Sequence, residues 1–145
     1  MSESIAQIVS IKVQLSGRRG DSLKWFRVIE IPETTSLYEL HHVIGNAIGF
    51  DDDHMYEFYI GKRWNKRESE LGEPASPIDP GIYDEIALTD VFPLGKALKL
   101  YYWFDFGDDW MFEITCRSEK TVANKKAKYP RVIEKNGRNP LQYGR

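Results

Sequence analysis

The sequence predicts an α+β domain, an antiparallel or mixed sheet with one main helix packed on one face. Three observations carry this. Short segments rich in alternating apolar, β-branched or aromatic residues recur along the chain, as half-buried strands require. A single segment, after Ser36, repeats its apolar residues at helical spacing. Glycine, proline and aspartate cluster in the gaps between these segments, where turn chemistry belongs.

The first strand is read from Val9, Ile11, Val13 and Leu15, which alternate with Ser10, Lys12 and Gln14. Gly17 to Asp21 supplies a turn, and the second strand runs from Trp25 to Ile31, stopped by Pro32. Ser36 and Glu39 then form a capping box, in which each side chain satisfies a backbone N–H at the helix start. Leu37, Leu40, Ile44, Ala47 and Ile48 make one apolar stripe, and Gly49 closes the helix. Tyr56, Phe58 and Ile60 mark a third strand up to Gly61.

From Gly61 to about Ala87 periodicity vanishes among Gly72, Pro74, Pro77, Pro80 and Gly81, so a long structureless connection is expected, pinned by Trp64 and Tyr83. Leu88 to Phe92 reads as one helical turn. Leu98, Leu100, Tyr102 and Phe104, then Phe112, Ile114 and Cys116, form a closing hairpin around Gly107-Asp108-Asp109. The order ββαβ–ββ points to a β-grasp or roll-like arrangement.

A chain of 145 residues matches about one domain, so residues 1–145 are read as one unit. That length buries a core without disulfides or a structural metal. The composition, 41% hydrophobic and 29% charged, is that of a globular rather than a disordered chain. No apolar run approaches the roughly 20 residues of a membrane span, and Met1-Ser2-Glu3-Ser4 lacks the features of a secretory signal. The single Cys116 excludes an intramolecular disulfide and fits a reducing compartment, so a cytoplasmic location is expected. Its parity with Phe112 and Ile114 places it in the core as an inert thiol.

The net charge of −2 hides an asymmetry: residues 1–116 hold 11 Lys/Arg and 20 Asp/Glu, whereas residues 117–145 hold 9 and 2. A basic C-terminal tail from about residue 117 either folds back on the acidic body or meets an anionic partner such as nucleic acid.

Two acidic clusters are the candidate binding residues. Asp105, Asp108 and Asp109 fall within five residues around the last turn, beside Trp110 and with Gly107 expected to supply a positive φ. Asp51, Asp52, Asp53 and His54 follow the helix C-terminus, where acids oppose the helix dipole. Convergence of Asp52, Asp53 and His54 with Asp105, Asp108, Asp109 and Trp110 would make one site. Asp53, His54, Asp105 and Asp108 are its candidate ligands for a divalent cation, Mg²⁺ or Mn²⁺ before Zn²⁺. No established cofactor is implied and no ligand-spacing motif is present. His41 and His42, about 100° apart around the helix, are not expected to share one metal.

The residues also carry a family likeness. Ile31 to His41, Gly49 to Phe58, Leu88 to Phe92, Tyr102 to Trp110 with Glu113-Ile114, and Tyr129-Pro130-Arg131 resemble the plasmid pRiA4b ORF-3-like family, from about Ile11 to Gly144. The resemblance implies a fold but no established reaction, and some members are described as passengers of transposable elements. Members often carry cysteines after the Tyr-Pro-Arg motif and in a Cys-Pro-Pro-Glu-Asp-like stretch. Val132 and Asn139-Pro140-Leu141-Gln142 stand there in this chain, so no cysteine-based metal or redox role carries over.

The first expectation for function is a non-enzymatic binding or interaction domain, taking an unknown protein or small ligand, with a link to mobile elements implied by the resemblance. The alternatives are a metal-dependent hydrolase using the clustered Asp and His residues and a nucleic-acid accessory protein acting through the tail.

Overall fold

The computed structural model describes residues 7–143, apart from the side chain of Asp21; the reading of Met1 to Ser4 and the end of the family likeness at Gly144 lie outside them. Seven strands form one sheet: β1 (Gln7–Ser16), β2 (Phe26–Pro32), β3 (Tyr56–Arg63), β4 (Lys66–Glu70), β5 (Lys99–Phe104), β6 (Trp110–Val122) and β7 (Arg131–Asn136). Their order is β4-β3-β5-β6-β1-β2-β7, and every neighbouring pair is antiparallel. Helical residues are divided among α1 (Gly17–Leu23), α2 (Leu37–Ile48), α3 (Leu88–Val91) and a 3-10 turn at Gly81–Glu85.

This overturns the predicted α+β arrangement of one main helix on a five-stranded sheet. The described residues are 44% strand and 20% helical, a mostly antiparallel sheet with small helices. The mixed sheet and the β-grasp or roll-like topology go with it, since no strand pair among the described residues is parallel. Three elements carry no periodic signal. β4 and β7 are exposed at every position, so neither needed an apolar face. Both are edge strands, and their charged side chains suit an edge that must not recruit another chain. α1, Gly-Arg-Arg-Gly-Asp-Ser-Leu, contains two glycines and no apolar stripe.

The expected structureless connection from Gly61 to Ala87 is likewise ordered. β4 pairs with β3, Ala75 bridges to Tyr56, and Tyr83 is fully buried. The Tyr83 hydroxyl donates to Gly72 O (3.1 Å) and accepts from Phe58 N–H (3.1 Å), so one phenol ties the segment to the sheet. Trp64 packs beside Tyr59, Tyr101 and Met111, a small cluster separate from the main core.

The main core joins Ile11, Val13, Leu15, Ile29 and Ile31 from β1 and β2 to Phe58, Tyr102, Phe112 and Ile114 from the other strands. α2 contributes Leu37, Leu40, Ile44 and Ile48 to it. Both halves of the Ser36/Glu39 capping box form, and Gly49 takes φ +80° beyond the last turn. Gly49 N–H and Phe50 N–H both donate to Gly45 O at 2.9 Å, closing the helix and turning the chain back beside it.

The basic tail is structured. β6 runs to Val122, β7 pairs with β2, and Lys120–Glu33 (2.7 Å) and Arg131–Glu30 (2.6 Å) join basic tail to acidic body. Asn139 reaches furthest in: its Oδ1 accepts from Trp25 Nε1–H and from the Arg27 guanidinium, each at 2.8 Å.

Candidate functional site

Sheet register brings one residue of each acidic cluster together, His54 and Asp105. Tyr56, the first residue of β3, pairs with Phe104, the last of β5. Asp105 N–H then donates to Met55 O (2.9 Å), carrying the ladder one step past both strands. His54 and Asp105, 51 positions apart, therefore meet at one sheet end, with His54 Nε2 3.2 Å from Asp105 Oδ2 and 3.4 Å from Asp53 Oδ1.

The C-terminal residues complete this corner. Tyr143 Oη donates to Asp53 Oδ2 (2.5 Å) and accepts from His54 Nε2–H (2.8 Å). The Gln142 amide donates to Asp51 O and Asp53 Oδ1, both at 3.2 Å, and its Oε1 accepts from Asp51 N–H (2.7 Å). The carboxylate of Asp53 pushes the Tyr143 phenol up to about 12. His54 has one Nε2–H, and Tyr143 takes it. Asp105 Oδ2, on a residue only 6% exposed, is left without a hydrogen-bond partner among the described residues.

The rest of the hairpin is held by its own acids. Asp105 and Asp109 both adopt φ near +60°, at 58° and 59°, whereas Gly107, expected to take that role, does not. Asp tolerates this left-handed region better than most residues. Asp109 N–H donates to Asp105 O (2.6 Å), Asp108 N–H to Asp105 Oδ1 (3.3 Å), and Trp103 Nε1–H to Asp109 Oδ1 (2.7 Å). Asp108 offers its carbonyl to Arg19 at 2.8 Å. Trp110 is buried, with Phe50 edge-on at 4.6 Å, the Arg19 guanidinium 3.9 Å over its ring, and its Nε1–H without a partner among the described residues.

Asp52 turns away from this corner to a second group. His41 Nε2 lies 2.8 Å from Asp52 Oδ1, and His42 Nδ1 lies 3.7 Å from Asp52 Oδ2. The two imidazoles, expected to diverge, both reach one carboxylate because the chain doubles back at Gly49 and carries Asp52 along α2. His41 is buried, stacked on Tyr56 at 3.7 Å, and bonded through Nδ1 to the Tyr102 hydroxyl. Burial holds its pKa below the usual imidazole value, although Asp52 opposes that shift. Tyr102, enclosed among aromatic rings, has its phenol raised well above the ordinary range by burial. In the neutral ring this network assigns Nε2–H to Asp52 and leaves Nδ1 as acceptor of the Tyr102 O–H.

Sequence reading set aside His41 and His42 and did not single out Tyr102, Gln142 or Tyr143. A histidine at a stripe position of α2, directly after Leu40, was the available signal for His41. Cys116 is half-buried, not enclosed; burial raises its thiol pKa, and it lines an open cleft of about 500 Å³ with Val9, Phe92, Leu94 and Lys120. No helix among the described residues is long and apolar enough to cross a membrane.

Comparison with known proteins agrees on kinship and is silent on chemistry. The chain is 28% identical over 138 residues, 94% of its length, to an uncharacterized protein, y4hQ, of Sinorhizobium fredii strain NBRC 101917 / NGR234. It spans 66% of that relative's length, just under two thirds. The crystal structure of a protein of unknown function, MM3350 from Methanosarcina mazei Go1, has the same fold, with TM-score 0.73, 19% identity, and coverage of 97% of this chain and 75% of that one. The plasmid pRiA4b ORF-3-like protein family matches residues 7–142, from the first residue of β1 to Gln142 beside Asp53, and the chain belongs to that family.

Proposed function

We propose that the protein is a binding domain whose acidic corner receives a cationic group of a partner. One observation carries this reading: among the described residues Asp105 Oδ2 is buried and accepts no hydrogen bond, and it faces the corner where Asp53, His54 and Tyr143 meet, with His54 Nε2 3.2 Å away. A buried carboxylate oxygen without a donor is costly, and an ammonium or guanidinium group brought by a ligand would satisfy it. The neighbouring Asp51 and Asp53 add negative potential around it, which favours capture of a positive group. Two of the tail's nine cations, Lys120 and Arg131, are engaged by Glu33 and Glu30 of the acidic body. A role in the life of mobile elements would be the setting in which such a partner is met.

The test is a peptide array varying Lys and Arg, probed with the wild type and with Asp105→Asn at two salt concentrations. Asparagine keeps the hairpin conformation and shape while removing the charge. Lys- or Arg-dependent binding that weakens with salt and is lost in Asp105→Asn, at unchanged melting temperature, is expected. Equal binding by the two proteins, or no preference for cationic side chains, refutes the reading.

A further inference from the structure

We infer that His41, His42 and Asp52 form a binding site for one divalent transition-metal ion of borderline softness, with Zn²⁺ as the representative ion. One ligand atom from each lies within 4.8 Å of the other two. A tetrahedral ion with bonds of about 2.0–2.2 Å to nitrogen and oxygen needs ligands separated by roughly 3–3.5 Å, so small side-chain movements close the set. A cavity of about 30 Å³ opens against all three residues, room for one ion or water.

The donor chemistry sets the preference. Two imidazoles and a carboxylate suit Zn²⁺ and its neighbours, whereas Mg²⁺ and Ca²⁺ seek oxygen-only shells. The His41 ring is already fixed in place, stacked on Tyr56 and bonded through its far nitrogen to a buried hydroxyl, as a second partner orients a metal-bound imidazole. An ion at Nε2 takes the place of the proton there. That proton moves to Nδ1, and Tyr102 Oη changes from donor to acceptor. Tyr38, edge-on to His42 at 4.7 Å, fixes the second ring. Three protein ligands leave a fourth position for water or a group from a partner.

This site is separate from the His54–Asp105 corner, so the two readings fail independently. Full-length protein treated with EDTA and dialysed is melted with ZnCl₂, with MgCl₂ and with neither. Zn²⁺ at a hundredfold excess over its Kd should raise Tm by about 5–10 °C, and Mg²⁺ should not. His42→Ala and Asp52→Asn should lose the shift, and His54→Ala should keep it. His42 lies on the open side of α2, so its variant folds even where Asp52→Asn, which strips a partner from His41, does not. Visible absorption of the Co²⁺ form gives a second readout: an intense tetrahedral spectrum in the wild type, absent in His42→Ala. The site is overturned by no Zn²⁺ shift, by an equal Mg²⁺ shift, by a shift that survives His42→Ala, or by one that vanishes in His54→Ala.

Discussion

Trp110 decides whether the hairpin ring is a contact surface or part of the core. The residue is 1% exposed, touches Phe50 edge-on, and lies beneath the Arg19 guanidinium. Replacing it with alanine removes a buried indole, about 3–5 kcal/mol, and a partly exposed cation–π contact of about 1 kcal/mol. Its Nε1–H has no partner among the described residues, so deleting that donor returns about 1–3 kcal/mol. The net loss is about 3 kcal/mol, a fall in Tm of roughly 10 °C for a chain of this size. Trp110→Phe keeps most of the apolar volume and also deletes the orphan N–H, so its cost should stay within about 1 kcal/mol. Urea denaturation followed by far-ultraviolet circular dichroism, with unchanged m, measures both. A loss below about 1 kcal/mol for Trp110→Ala would show that the ring is not seated in the core. A Phe variant as unstable as the Ala variant would show that the indole N–H is engaged.

Two further outcomes follow from the same packing. Asn139→Ala should cost about 1–2 kcal/mol, because the Trp25 indole N–H and an Arg27 N–H lose their shared acceptor; unchanged stability in urea would mean that the tail is not part of the fold. Burial pushes the Tyr59 and Tyr83 phenols up to about 12, above the unfolded value near 10, so the stability they contribute is complete below pH 10 and disappears as pH rises toward 12. Tyrosinate absorbance should therefore climb together with loss of circular dichroism for these rings, and full ionisation of all eight tyrosines near pH 10 in an intact fold would contradict it.

Local chemistry was legible wherever a residue's neighbours in sequence determine its role. The capping box at Ser36 and Glu39 and the Gly49 terminus needed no tertiary information, because each bond closes within a few residues. Strands with one buried face announced themselves through alternation. β4 and β7, with no buried face, did not, and without them the pattern predicts a smaller sheet under a single helix.

The sequence by itself determined which residues could form a site: two acidic runs, His41 and His42 on the helix with His54 beside the first run, and an aromatic hairpin. Only the tertiary structure decided how they are shared out. Register between β3 and β5 sets His54 against Asp105, the return at Gly49 gives Asp52 to His41 and His42, and the last residues bring Tyr143 to Asp53. The physical reason is range. Caps and turns close over three or four residues, whereas these contacts span 10 to about 90 positions and depend on where each strand is docked.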